Sequence, residues 1–248
     1  MAKILSSSIE EIFGSLEDPR RETENKRHKL LDILVLSICA CVCGANDFVG
    51  IAHFGRAKVE WFSSFLELPH GIPSHDTFNH VFAKLSPKLF GECFIAWVSQ
   101  ITDLFPGEVI AVDGKTLRRS HDRSHGKASI HMVSAWAQSN SLVLGQIKTE
   151  EKSNEITAIP ELLHLLAIEG CLVTIDAMGC QKKIVETIVD RQADYLIALK
   201  ENQPNLYASV ISHFDQVNQK EGQEPTIDFA ETLETSQGRK EERRCWVS

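Results

Sequence analysis

Two short apolar runs, each ending in an aspartate, stand out in the hydrophobic pattern of the chain. Residues 109–112 precede Asp113, and residues 172–175 precede Asp176. Both runs are rich in β-branched residues, lie close to Gly or Pro and are too short for a helix, so they predict buried strands. A carboxylate at the end of a buried strand is costly unless something neutralises it. We therefore expect the two strands to be neighbours with a divalent cation between the carboxylates.

Carboxylate oxygens are hard ligands, and hard ligands suit Mg²⁺ or Mn²⁺. Sites with two such ions catalyse in-line phosphoryl transfer. The residues themselves therefore favour a metal-dependent DNA-processing core.

The remaining C-terminal pattern predicts strands that alternate with helices. Residues 130–137 and 142–147 predict a hairpin after the first aspartate strand, and a helix through Leu162 and Leu166 comes before the second. A strand that follows a helical crossover is expected to lie parallel to an earlier strand. Residues 195–199 predict a fifth strand, and a helix from Asn202 or Pro204 follows it. We predict an α/β fold with a mixed sheet, in the order βββαβαβα of the ribonuclease H-like fold, with the acids on strands one and four.

The region before residue 105 predicts only helices, so we expect an all-helical domain over residues 1–105 and the sheet domain over residues 106–248. Residues 33–43 are the most apolar stretch, but they are shorter than the roughly 20 residues that a membrane span needs, which favours a buried core helix. The cysteines at 39, 41 and 43 are interpreted as core packing rather than zinc ligands.

Two features of the helical region are compatible with DNA binding. A basic cluster at residues 20–29 predicts either phosphate contacts or a solvated helix entrance. Helices on both sides of Leu85-Ser86-Pro87 predict either a helix-turn-helix pair or an ordinary helical bundle. In the first case the side chains facing DNA would be His75, Asn79, His80 and Lys84.

Charge and cysteine usage restrict the class of protein. The formal net charge of −8 argues against a general nucleic-acid coat, although a local basic stripe matters more than the total. Seven unevenly spaced cysteines do not form a disulfide framework, and residues 1–11 lack the apolar core of a secretion signal. We expect a cytoplasmic, nucleoid-associated protein with no membrane partner.

Several cations follow the aspartate strands, where they are placed to contact DNA phosphates. The stretch after Asp113 is dense in cations and hydroxyls, and the strand over residues 195–199 is followed by another lysine. We predict phosphate contacts for these residues, against the alternative of solvated loop charges. They are Lys115, Arg118, Arg119, Arg123, Lys127 and Lys200.

Three runs of this sequence resemble the signatures of the DDE transposases of bacterial insertion sequences, and most closely the H-repeat-associated group. They cover residues 111–119 (AVDGKTLRR), 149–160 (TEEKSNEITAIP) and 173–181 (VTIDAMGCQ). The resemblance spans nearly the whole chain. It implies a transposase that acts on transposon ends as a homodimer or a larger assembly on DNA. It also implies Mg²⁺ (or Mn²⁺) held by an Asp-Asp-Glu triad, with Asp113 and Asp176 as the first two catalytic, metal-binding acids.

The third acid of the family has no counterpart in the sequence. In the family it lies on a later helix within a His-Trp-x-Ile-Glu-Asn type motif, and this sequence contains no such stretch. Residues 229–233 and 241–247 instead predict two strands around a turn at Gly238, and no further strand or cap follows. We expect a C-terminally truncated transposase, inactive in strand cleavage and transfer, with Glu241 or Glu242 as the remaining alternatives for the third ligand. The competing interpretation is a non-catalytic fragment that binds DNA or dimerises with full-length transposase and regulates it.

Overall fold

The computed structural model describes residues 9–23, 26–117, 120, 129–149, 155–219, 228–236 and 239–247. The chain divides into two compact units, Met1–Leu196 and Ile197–Ser248, and each is described by itself. The predicted border at residue 105 falls inside the first unit and stays a prediction.

The first unit begins with helices that share one hydrophobic core. A helical turn at residues 9–13 is followed by α1 (Leu30–Val42), α2 (Phe48–Ala57), α3 (Val59–Phe62), α4 (His75–Phe82) and α5 (Pro87–Ile101). Ile33, Leu34 and Leu36 of α1 are fully buried, which confirms the prediction of a core helix. Ser74 and Ser86 cap α4 and α5 by accepting hydrogen bonds from Thr77 N–H and Leu89 N–H, as Ser before a helix predicts.

The cysteines at 39, 41 and 43 do not all pack in the core. Cys39 is half-buried, whereas Cys41 and Cys43 are exposed. With 3.6 residues per turn, Cys41 lies on the face opposite to Cys39, and Cys43 lies just past the end of α1. The prediction of core packing is therefore wrong for Cys41 and Cys43.

A five-stranded mixed sheet forms the rest of the first unit, with strand order β3-β2-β1-β4-β5. The β1–β2 and β2–β3 pairs are antiparallel, and β4 lies parallel to β1, as the helical crossover predicts. The elements are β1 (Val109–Thr116), β2 (His131–Ala137), β3 (Leu142–Thr149), α6 (Glu155–Leu165), β4 (Leu172–Ile175), a 3₁₀ turn (Ala177–Gly179), α7 (Lys182–Asp190) and β5 (Asp194–Ile197). The predicted mixed sheet and its order of strands and helices are confirmed.

Two boundaries of the sheet differ from the sequence prediction. β1 does not end at Asp113 but continues through Gly114 and Lys115 to Thr116, because these residues pair with β2 as far as His131. β5 covers Asp194–Ile197 and ends before residues 198 and 199.

The second unit contains α8 (Pro204–Gln219) and a hairpin of β6 (Asp228–Ser236) and β7 (Arg239–Val247). The sequence from 215 to 225 is polar and predicts a loop, but α8 continues through the first residues of this stretch, so the prediction is wrong there. The predicted strands are confirmed and are longer than expected. β7 pairs with the preceding strand along its whole length, from Arg239 opposite Ser236 to Val247 opposite Asp228. In the part of the chain that the structure describes, no helix is long and apolar enough to cross a membrane.

Asp32 places a carboxyl group inside the core of the helical region. It is only 3% exposed, and its Oδ2 has no hydrogen-bond partner among the described residues. Burial raises the pKa of this carboxyl, and the Leu68 backbone N–H and the Lys29 ammonium oppose that effect only in part. Because the folded state disfavours the charged form, ionisation of Asp32 reduces the free energy of unfolding as the pH rises above the ordinary aspartate range.

We expect Asp32→Asn to raise the free energy of unfolding at pH 7 by about 1 kcal/mol, because it removes the buried charge and keeps the shape of the side chain. The difference should vanish below about pH 3, where the wild-type carboxyl is protonated in both states. Urea denaturation at the two pH values measures it. A variant less stable than the wild type at pH 7, with no such loss at low pH, would show that the carboxylate is well paired and would contradict this expectation.

Candidate functional site

The parallel pairing of β1 with β4 fixes the relative position of the two aspartates. Val109 lies opposite Leu172, and the register continues to Val112 opposite Ile175. Asp113 and Asp176 are the next residues on their strands, and the backbone at Asp176 is still extended. The aspartates therefore lie opposite each other on strands about 5 Å apart. The structure brings together the two residues that the sequence placed 63 positions apart.

Both carboxylates point to the same face of the sheet. Val112 and Ile175 are buried, at 4% and 7% exposure. Because side chains alternate along a strand, the residues that follow them face the opposite side. Asp113 and Asp176 are accordingly exposed. The expectation of buried carboxylates is wrong, and the physical case for a cation rests on the proximity of two negative charges rather than on desolvation.

The 3₁₀ turn after β4 orients the second aspartate. Asp176 is the residue that caps this turn, and its Oδ1 accepts a hydrogen bond of 3.0 Å from Met178 N–H. An extended backbone and a bonded carboxylate oxygen restrict the side chain to few orientations. Asp176 is therefore held in place beyond the end of the paired strand.

Polar residues surround Asp113 on its face of the sheet. Ser134 of β2 lies directly opposite it. Lys115, two residues further along β1, shares the same face and is exposed. The next residue, Thr116, faces the other side of the sheet, and its Oγ1 lies 2.8 Å from His131 Nδ1. Of the predicted phosphate contacts, Lys115 is thus the one on the same strand and face as Asp113.

The other predicted phosphate contacts stay predictions. Arg118, Arg119, Arg123 and Lys127 lie outside the described residues. Lys200 is exposed and belongs to the second unit.

The two alternatives for the third acid also lie in the second unit, on β7. Glu241 pairs with Arg243 at 2.7 Å, and Glu242 pairs with Arg244, which also contacts Glu231 of β6 at 2.9 Å. Both glutamates are therefore engaged with arginines of the hairpin.

The donor set formed by Asp113 and Asp176 fits a hard divalent cation. Two exposed carboxylates in register supply oxygen ligands, which is the chemistry that Mg²⁺ and Mn²⁺ prefer. Within the described residues, no group of three or more His, Cys, Asp or Glu side chains is arranged to hold a metal ion. The residues that would hold the ion are Asp113 and Asp176.

One carboxylate beside this site was not assigned from the sequence. Glu155 begins α6 and is 8% exposed. Its Cδ lies 2.4 Å from the position that a Cβ on Gly114 would occupy, and both of its oxygens lie 2.5 Å from that position. Glu155 therefore packs directly on the backbone of the residue after Asp113. The indication in the sequence was its position within the run at residues 149–160, which resembles a signature of the transposase family.

Basic side chains from two distant stretches meet in a shallow groove on the helical region. The groove has a volume of about 400 Å³, and its walls include Arg20, Arg21, Lys26, His80 and Lys84. The four side chains predicted to face DNA, at positions 75, 79, 80 and 84, are all exposed. We call this feature the basic groove.

Asp18 fixes two of the cations at the basic groove. It contacts Arg20 at 2.7 Å and Lys26 at 3.2 Å. Burial alone would raise the pKa of Asp18, but the hydrogen bonds and charges of Arg20 and Lys26 hold it at about 2. Among the described residues, Arg21 and Lys84 form no ion pair, although the carboxylate of Asp76 also lines the groove.

The family model described as "Transposase DDE domain" matches residues 104–242, and the model described as "DDE_Tnp_1-associated" matches residues 10–98. "Putative transposase YncI" of Escherichia coli (strain K12) is 45% identical over 228 residues, which are 92% of this chain and 91% of that relative. "H repeat-associated putative transposase YhhI" of the same strain is 45% identical over 223 residues, 90% of this chain and 58% of that relative.

A third relative, "Putative transposase YncI" of Escherichia coli O157:H7, is 45% identical over 97% of this chain. The chain spans 61% of that relative's length. Among solved structures, a piggyBac transposase synaptic complex with hairpin DNA matches 92% of this chain and 53% of its own at 12% identity and a TM-score of 0.38. This similarity is too low to support a conclusion about the fold or function of this chain.

Proposed function

The chain belongs to the transposases with a DDE domain, and from that premise we propose that its sheet holds the metal-binding acids of an insertion-sequence transposase. The observation that carries the proposal is the register of β1 and β4, which puts Asp113 and Asp176 opposite each other on one face. Strands in the order β3-β2-β1-β4-β5, with acids on the first and fourth, support a ribonuclease H-like core. The substrate is the DNA at the transposon ends.

The residues of this chain have distinct roles in the proposed chemistry. Asp113 and Asp176 would hold Mg²⁺ or Mn²⁺, and Lys115 on the same face would contact a phosphate of the bound strand. When bound, such ions activate a water or 3′-hydroxyl and stabilise the leaving oxygen. The hydrogen bond from Met178 N–H keeps the Asp176 carboxylate oriented before any ion binds.

We expect this chain by itself not to nick supercoiled plasmid DNA in the presence of Mg²⁺ or Mn²⁺. Two carboxylates bind a divalent ion weakly, and in the described residues no third ligand stands beside them. Conversion to the open circular form, followed on agarose gels, measures the reaction. Asp113→Ala is the control, and nicking by the wild type that this variant abolishes would refute the proposed inactivity.

The basic groove supports a second role, which is DNA binding by a fragment without cleavage. Its cations come from the basic cluster after Pro19 and from α4 with the loop after it. Arg21 and Lys84 lack ion pairs within the described residues, so their charge is available to a phosphate backbone. A chain that binds transposon ends, or dimerises with full-length transposase, would regulate transposition without catalysing it.

We expect the double substitution Arg21→Ala and Lys84→Ala to weaken binding to short duplex DNA about tenfold at low salt and to reduce the salt slope by about two. Fluorescence anisotropy of labelled DNA across a salt series measures both quantities. Lys182→Ala is the matched control, because this lysine of α7 is 91% exposed and lies outside the groove. Equal losses in the control, or an unchanged double variant, would contradict a role for the basic groove.

A further inference from the structure

The first turn of α6 packs on β1 through a carboxylate rather than through an apolar side chain. Glu155 is 8% exposed, and its carboxyl carbon lies 2.4 Å from where a Cβ at position 114 would be. Only a glycine leaves room for it there. Its neighbours in the helix, Ala158, Ile159 and Leu162, bury apolar groups against the sheet in the usual way.

Holding a carboxylate at this position costs solvation, which an apolar side chain of similar size would avoid. The start of a helix reduces the cost, because the exposed N–H groups of the first turn favour a negative charge. The carboxyl carbon of Glu155 is within about 8 Å of the Asp113 Cα, since it lies against Gly114 and consecutive Cα atoms are about 3.8 Å apart. The charge is therefore close to the candidate metal site.

Glu155 lies on the face of the sheet opposite to the side chains of the two aspartates. Gly114 follows Asp113 on the strand, so a Cβ at position 114 would point to the face opposite to the Asp113 side chain. Glu155 therefore does not share the exposed face with Asp113 and Asp176. It acts on them through the β1 backbone and through its charge.

We propose that Glu155 is a positioning residue for the metal site: its carboxylate, seated on Gly114, fixes the β1 backbone at Asp113 and adds negative charge behind it. A rigid backbone here keeps the Asp113 carboxylate aimed at the partner acid on β4. The additional charge increases the attraction for a divalent cation. This inference rests on the proposed metal-binding function of Asp113 and Asp176.

Two substitutions separate the charge from the geometry. Glu155→Gln keeps the shape and removes the charge, whereas Gly114→Ala keeps the charge and displaces the carboxylate. The matched control is Glu161→Gln, because Glu161 is an exposed acid on the same helix. Asp113→Asn serves as the reference for loss of the metal site.

Mn²⁺ binding to the full chain, followed by the loss of the free-ion electron paramagnetic resonance signal, is the measurement. We expect Glu155→Gln and Gly114→Ala to weaken Mn²⁺ binding about tenfold or more, as residues behind a metal ligand do, and Glu161→Gln to leave it unchanged. Circular dichroism and Tm identify variants that fail to fold, and Gly114→Ala alone decides the question if Glu155→Gln does not fold.

The outcomes distinguish the two proposals. If wild type binds Mn²⁺ in a manner that Asp113→Asn abolishes, and the folded Glu155 and Gly114 variants bind equally well, the positioning role is refuted while the metal site stands. If Asp113→Asn does not change Mn²⁺ binding by the wild-type chain, the proposed metal site fails, and the role of Glu155 fails with it.

Discussion

The parallel register between β1 and β4 is the constraint on which the candidate site depends. Val112 lies opposite Ile175, so the residues after them, Asp113 and Asp176, lie opposite each other on the same face of the sheet. A slip of one residue would turn one carboxylate to the buried face of the sheet. The burial of Val112 and Ile175 opposes such a slip, because it would expose an apolar side chain and bury a charge.

The crossover between these strands supplies more than a connection. α6 covers the buried face of the sheet, and its first residue, Glu155, lies against Gly114 beneath the site. The turn after β4 orients Asp176 through Met178 N–H. Each aspartate is thus positioned by a contact with the backbone. At Asp113 the neighbouring Gly114 leaves room for Glu155, and at Asp176 the backbone N–H of Met178 binds the carboxylate.

Much of the fold was predictable because its signals are local. β-branched runs, capping serines and the hairpin turn gave the order of strands and helices, and the crossover rule gave the parallel pairing. The predictions that failed concerned the burial of individual side chains, which depends on tertiary structure. Whether Asp113 is buried depends on which face of β1 it occupies, and the sequence of the strand does not show which face is covered. The exposure of Cys41 follows from the helical spacing, which was available in the sequence, whereas that of Cys43 follows from where α1 ends.

The remaining features could not be predicted from the sequence because they join distant residues. Arg21 and Lys84 line the same groove although 63 positions separate them, and no periodicity links them. Glu155 lies within the family-like run at residues 149–160, but its contact with Gly114 depends on how α6 packs on the sheet. Arginines near Glu241 and Glu242 on the hairpin likewise became partners only through pairing of β6 with β7.

The central claim is that Asp113 and Asp176 bind one and the same cation. A double-mutant cycle on Mn²⁺ affinity, using Asp113→Asn, Asp176→Asn and the combined variant in calorimetric titrations, tests it most directly. We expect each single substitution to weaken binding of the same Mn²⁺ ion and the double variant to lose less affinity than the product of the two effects, because the ligands act as a unit. An Asp176→Asn variant that binds Mn²⁺ like the wild type, or effects that multiply independently, would contradict it.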